Sequence, residues 1–202
     1  MKRLEGEIQL ILGPMFSSKS STLISRMRRY TVAGMKCVAV KYSGDTRYDN
    51  SKLSTHDLIM WEAISSDNIS ILYNELIKYD VIGVDEGQFF KDINEYAENL
   101  ANLGKIIIIT ALSGSYQREK IGNLYDLIPK VEKITMLRAV CMECKKDGAF
   151  TQRITQETEQ EIIGGVDKYR AVCRECFNKS LHQTISNQNY DLDTGIIKST
   201  IL

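Results

Sequence analysis

The residues Glu7-Ile8-Gln9-Leu10-Ile11-Leu12-Gly13-Pro14-Met15-Phe16-Ser17-Ser18-Lys19-Ser20 decide how the chain is read. A short apolar-rich run meets Gly13-Pro14, which predicts a buried strand ending in a turn. Beyond the turn, Leu23, Ile24, Met27 and Tyr30 recur at i, i+1, i+4 and i+7, predicting a helix from Lys19 that Gly34 closes. Between strand and helix, Gly13 to Ser20 has the length, lysine and hydroxyl of the phosphate-binding loop G-x-x-x-x-G-K-[ST]. Its backbone N–H groups and the helix N-terminus cradle phosphate, Lys19 reaches the β and γ phosphates, and the Ser20 hydroxyl completes a Mg²⁺ shell. The residue before the lysine is Ser18 rather than glycine. A left-handed backbone is common there, and a Cβ then costs about 1–2 kcal/mol, equivalent to roughly 5- to 30-fold in nucleotide affinity if unrelieved.

Outward from this loop, Lys36 to Tyr42 is a second strand, so strand, helix and strand form a βαβ unit. Arg26, Arg28 and Arg29 fall off the apolar face of the helix and read as a solvated surface. The stretch from Ser43 to Leu58 is polar and aperiodic and reads as a loop. Ile69 to Tyr79 is helix-like, Val81 to Asp85 is a strand, and Phe89 to Leu103 repeats at helical spacing. Lys105-Ile106-Ile107-Ile108-Ile109-Thr110 is apolar enough to be covered on both faces. The alternation predicts an α/β fold, a doubly wound, mainly parallel sheet of the P-loop kind, with ligands at the carboxyl ends of the strands. A composition shift near Ala139 divides this part, residues 1–138, from a small zinc-binding module at 139–180 and a poorly ordered tail at 181–202.

Val81-Ile82-Gly83-Val84-Asp85-Glu86 delivers two carboxylates at a strand tip. Beside a phosphate loop, Asp85 would orient Mg²⁺ and Glu86 would accept a proton from the attacking group. Cys141-x-x-Cys144 and Cys173-x-x-Cys176 are matched knuckles 28 residues apart, suited to a closed, structural Zn²⁺ site. The segment they clamp contains Ile162-Ile163-Gly164-Gly165 and Tyr169, giving backbone freedom and an aromatic plane for a flat ligand. Cys37 is left over for a buried strand, His56 and His182 have no metal-binding neighbours, and Trp61 reads as packing. Asp45-Thr46-Arg47 is either a turn or a guanidinium brought to phosphates.

At 202 residues the chain holds one substantial domain and a small module. Its 43% hydrophobic and 26% charged fractions are those of a globular protein. Lys plus Arg and Asp plus Glu both number 26, so no net charge draws it to nucleic acid or an anionic membrane. No apolar run is long enough to cross a bilayer, and the Met1-Lys2-Arg3 start leads to a strand rather than a signal core, so a cytoplasmic location is expected.

Taken in order, Gly13 to Ser17, Thr46-Arg47-Tyr48, Thr55-His56-Asp57, Ile82 to Phe90, Gln117-Arg118, Ala139 to Cys144 and Ile162 to Tyr169 resemble the zinc-containing thymidine kinase family of Walker-type deoxynucleoside kinases. The resemblance spans about residues 7 to 178. It implies transfer of the ATP γ-phosphate to the 5′-hydroxyl of thymidine, with Glu86 as general base and Ser20 and Asp85 at the Mg²⁺ positions. It implies that Arg47, accompanied by Asp45, lies near the phosphates, and that the zinc-clamped segment is a lasso holding thymine by backbone groups around Ile162 and Gly164. Thr151 would lie near the base and Tyr169 against the deoxyribose, with Met15, Phe89, Leu112 and Tyr116 lining the pocket. A cytosolic homotetramer, feedback inhibited by dTTP, is implied as well. Besides Ser18, the chain departs from the family at Ser113 and Tyr116, where an aspartate and a phenylalanine are usual. Two other readings stand beside this one: a nucleotide-binding homologue disabled by Ser18, and an ATPase whose zinc module grips nucleic acid.

Overall fold

A computed structural model describes residues 5–44, 52–54, 60–155 and 165–179 of the chain. Strands and helices follow one another as β1 (Glu7–Gly13), α1 (Lys19–Val32), β2 (Cys37–Tyr42), β3 (Lys52–Ser54), β4 (Met60–Ser66), α2 (Ile69–Leu76), β5 (Val81–Val84), α3 (Ile93–Asn102), β6 (Ile106–Leu112) and β7 (Lys133–Met136). The seven strands make one sheet in the order β3-β4-β2-β5-β6-β1-β7, parallel throughout except for the β3–β4 pair at its edge.

Period-two side-chain alternation explains why both faces are covered. Ile107 and Ile109 of β6 join Ile8, Leu10 and Leu12 of β1 in one core, against which α2 and α3 bury Ile69, Leu76, Ile93, Ala97 and Leu100. Ile106, Ile108 and Ile11 face the other way and meet Leu23, Ile24 and Met27 of α1. The doubly wound sheet is thus the direct result of strands that are apolar on both sides. Gly83 serves the α1 face, since a Cβ there would sit 2.4 Å from the Met27 sulfur. Trp61 packs at the margin of this second core, as expected.

Three local readings need correction. The stretch taken as loop contains β3, which pairs with β4. The helix expected from Phe89 begins at Ile93; a short 3₁₀ turn, Gly87–Phe89, precedes it, and Phe90 is extended so that its ring is wholly buried. Arg26 is not a solvated residue, because its guanidinium donates to the Gln9 side chain at 2.8 Å and to the Thr135 hydroxyl at 2.7 Å, tying α1 to β1 and β7. Cys37 stands at the start of β2, half-buried against the Met27 and Met35 carbonyls.

After the sheet come two small antiparallel pairs, β8 (Ala139–Val140) with β9 (Asp147–Gly148) and β10 (Phe150–Arg153) with β11 (Tyr169–Val172). They enclose a minor core of Cys141, Val172 and Phe177 with Phe150 packed against it. No helix among the described residues is long and apolar enough to cross a membrane. Asp45, Arg47, His56, Ile162, Gly164, His182 and the 181–202 tail lie outside the described residues.

Candidate active site

Parallel pairing brings the carboxyl ends of β1, β6 and β5 to one edge of the sheet. One strand separates β1 from β5, so at about 4.8 Å per step their ends lie roughly 10 Å apart. Residues from α1 and from the β5 tip close that gap: the Ser20 hydroxyl stands 3.0 Å from both carboxylate oxygens of Asp85. Thr110 of the intervening strand donates its hydroxyl to Asp85 Oδ1 and accepts the backbone N–H of Glu86 at 3.2 Å. A hydroxyl has one proton and two lone pairs, so a single threonine can fix both acidic residues. Glu86 itself is left-handed, with φ of 52°.

Asp85 is buried, and burial pushes its carboxyl from an ordinary 3.8 up to about 6; the neighbouring Glu86 charge adds to the rise. Hydrogen bonds from Thr110 and Ser20, and the Lys19 charge, act the other way. Gln88 orients the second carboxylate. Its Oε1 accepts the Leu112 N–H at 3.3 Å, which leaves its amide NH₂ to donate to Glu86 Oε2 at 2.8 Å.

The loop from Gly13 to Ser20 packs tightly. A Cβ on Gly13 would lie 2.5 Å from Ser17 Oγ and 3.1 Å from the Leu137 carbonyl, so glycine alone fits without a shift. Ser17 Oγ and Lys19 Nζ both donate to the Pro14 carbonyl at 2.8 Å. Ser18 has φ 60° and ψ 34°, the left-handed geometry expected of this position. The N–H and hydroxyl of Thr22 both bond the Ser18 carbonyl, so the geometry belongs to the fold of the loop. The Cβ penalty therefore falls on folding rather than on ligand affinity. No acidic residue occupies the first turn of α1, which keeps the helix N-terminus favourable to anions. One loop donor is already committed: the Met15 N–H donates to Thr151 Oγ1 at 3.0 Å, linking the loop to β10.

Thr151 and Arg153 share one face of β10, and Tyr169 pairs opposite Arg153 on β11. Arg153 donates to the Tyr169 hydroxyl at 2.8 Å, and its guanidinium lies 3.8 Å from the ring centroid of Tyr116. Tyr116, Thr151 and Tyr169 are thus brought together. Leu112 is tied through its N–H to Gln88, on the side of the acidic strand tip, and Phe89 stacks on Tyr42 at 5.2 Å.

The four knuckle cysteines, Cys141, Cys144, Cys173 and Cys176, place their sulfurs within 4.8 Å of one another. Four thiolates at about 2.3 Å from a tetrahedral Zn²⁺ are roughly 3.8 Å apart, so the donor set and its spacing suit that ion. The Cys176 N–H donates to Cys173 Sγ at 3.5 Å and holds that thiol below its ordinary range, favouring the ligand form.

Sequence reasoning assigned no role to Thr110, Gln88 or Arg153. Thr110 had a signal, being the polar member of the apolar run Ile106 to Leu112. The other two depend on contacts between distant segments.

A thymidine kinase family model matches residues 6–177. The chain is 52% identical over 172 residues to a sheeppox virus thymidine kinase, covering 85% of this chain and 97% of the viral protein. It is 50% identical over 172 residues to a vaccinia virus thymidine kinase, with the same coverage, and 45% identical over 187 residues to the cytosolic thymidine kinase of Gallus gallus, covering 93% of this chain and 84% of that one. A solved DNA replication initiation factor is similar with a TM-score of 0.42 and 12% identity, over 65% of this chain and 40% of that one, a likeness too weak to weigh.

Three measurements probe this geometry. Because folded Asp85 keeps its proton to about pH 6, against an ordinary 3.8, the folded state binds the extra proton across that window and loses stability as pH rises through it. In metal-free protein the stability advantage of Asp85→Asn over the parent should therefore grow from about pH 4 to 6 and level off above; a flat difference in denaturant melts refutes the raised carboxyl. Ser18→Gly should raise stability by up to about 1 kcal/mol, strain relief exceeding glycine's entropy cost, with nucleotide affinity nearly unchanged. Cys173→Ser should abolish stoichiometric zinc in atomic absorption and lower the melting temperature.

Proposed function

The chain belongs to the thymidine kinase family, and from that premise we propose that it transfers the γ-phosphate of ATP to the 5′-hydroxyl of thymidine, giving dTMP. The observation that carries the reading is the Ser20–Asp85 contact, which joins the phosphate loop to the acidic strand tip across β6. It supports a single site in which Lys19 and Glu86 act on one triphosphate terminus.

In this reading, residues 1–138 bind the nucleotide, residues 139–180 form the zinc-stabilised module with its lasso, and 181–202 is a tail. Gly13, Pro14, Met15, Phe16, Ser17, Ser18, Lys19 and Ser20 surround the phosphates, with Asp45 and Arg47 beside them. The Met15 N–H is spoken for by Thr151, so Met15 contributes its side chain on the nucleoside side. Lys19 exchanges the Pro14 carbonyl for a γ-phosphate oxygen and stabilises charge as it develops there. Ser20 and Asp85 offer hard oxygen ligands 3.0 Å apart, which suits the Mg²⁺ that accompanies ATP. That ion, held by Ser20 and Asp85, would supply positive charge to the triphosphate terminus.

Thymidine lies among Met15, Phe89, Leu112, Tyr116 and Thr151, with Tyr169 on the deoxyribose side and the backbone at Ile162 and Gly164 reading the base. Glu86, aimed by the Gln88 amide, takes the proton of the 5′-hydroxyl as its oxygen bonds to the γ phosphorus. The bond to the β–γ bridging oxygen breaks in line, and ADP leaves with that electron pair. Holding both substrates in line supplies much of the rate through orientation. By the same family argument the enzyme is a cytosolic homotetramer, and dTTP acts as an inhibitor by occupying this site.

Glu86→Gln should lower kcat by roughly 10²- to 10⁴-fold while leaving ATP binding by calorimetry within about twofold. A panel of nucleosides offered to the parent with ATP should show phosphorylation of thymidine above the other acceptors; no transfer to thymidine would overturn the reading.

A further inference from the structure

Arg153 occupies a position that the reaction itself does not call on. It ends β10, a strand within the segment between the two cysteine knuckles, and its cross-strand partner is Tyr169. Its guanidinium donates to the buried Tyr169 hydroxyl at 2.8 Å and lies 5.3 Å from that ring, while covering the Tyr116 ring at 3.8 Å. Tyr116 comes from the connection after β6, so one planar cation touches aromatic side chains from both parts of the chain. A flat, delocalised guanidinium can stack and hydrogen-bond at once, which an ammonium cannot.

We propose that Arg153 is a positioning residue for the nucleoside subsite, setting the distance and angle between Tyr116 and Tyr169. The inference rests on the proposed function in one respect, that thymidine is bound beside these two rings. Two-point docking gives the mechanism. Thr151, two residues earlier on the same face of β10, accepts the Met15 N–H at 3.0 Å and anchors the strand to the phosphate loop. Arg153 provides the second anchor, on the nucleoside side. With the first anchor intact, loss of the second lets Tyr169 and Tyr116 move independently and widens the slot, while the phosphate loop keeps its partner. Arg153 acts through the two tyrosine rings it holds, so its effect falls on thymidine binding rather than on the chemical step.

The test is a steady-state comparison of parent, Arg153→Met, Arg153→Lys, Tyr169→Phe and the double variant Arg153→Met/Tyr169→Phe. Arg153→Met should raise the KM for thymidine about tenfold, the scale of a partly desolvated cation–π contact plus a charge-assisted hydrogen bond, with the KM for ATP and kcat within about twofold. Arg153→Lys keeps the charge but loses the fork and should recover little. Tyr169→Phe removes one oxygen and should raise the thymidine KM by roughly three- to fivefold. The double variant should be no worse than Arg153→Met alone, because both remove the same link. Melting temperature and zinc content report folding, and Tyr169→Phe carries the test if Arg153→Met fails to fold. An unchanged thymidine KM, an equal rise in both KM values, or additive effects in the double variant overturns the positioning role. A parent that phosphorylates other acceptors but not thymidine overturns the function and this inference with it, and is distinguishable because no variant is needed to see it.

Discussion

Everything near the phosphate loop is organised around a carboxylate kept away from water. Asp85 would be costly to bury alone, and it is retained because hydroxyls reach it from either side, Ser20 from α1 and Thr110 from the neighbouring strand β6. Those contacts make the junction between β1 and β5 three strands wide yet rigid. Thr110 also receives the Glu86 N–H, so the second acid is aimed by the group that stabilises the first. The strained backbone at Ser18 and Glu86 lies at the two ends of this arrangement. Left-handed residues of this kind persist only where surrounding bonds hold them, and here Thr22 and Thr110 supply those bonds.

The module beyond the sheet has a core of only a few buried side chains. So small a core supplies little stability without a covalent or metal staple, which is the physical reason for four cysteines in one cluster. Its hold on the sheet is local and polar: Thr151 on the loop and Arg153 on Tyr116. The stacking of Arg118 on Phe177, 4.5 Å from the ring centroid, adds a contact from the connection after β6. Shape at this junction is thus set by cations over aromatic planes rather than by deep apolar packing.

Much of this was legible in the chain itself. Apolar runs such as Ile106 to Ile109 can only be strands covered on both faces, and the spacing of Leu23, Ile24 and Met27 allows one buried helix face, so the doubly wound sheet followed. The turn from β1 into α1 and the cysteine cluster were legible because both are written in fixed local spacing. The rest was hidden for definite reasons. β4 mixes Trp61, Glu62 and Ser65 with apolar residues, and β7 has an exposed outer strand with little apolar patterning, so neither shows a clean period. Arg26 looks solvated until β7 returns beside β1 and brings Thr135 to it, 109 residues away. The partnership of Arg153 with Tyr116 likewise exists only after the fold has formed.

The pairing of β1 has a bearing on how such a chain can vary. All seven of its residues are in parallel register with β6, and its side chains alternate between two separate cores before running without a break into Gly13 and the loop. Inserting or deleting one residue there would exchange the two faces and rotate the loop away from Asp85. Between Glu7 and Lys19, then, one apolar side chain can stand in for another of similar volume, whereas a change in the number of residues cannot be absorbed.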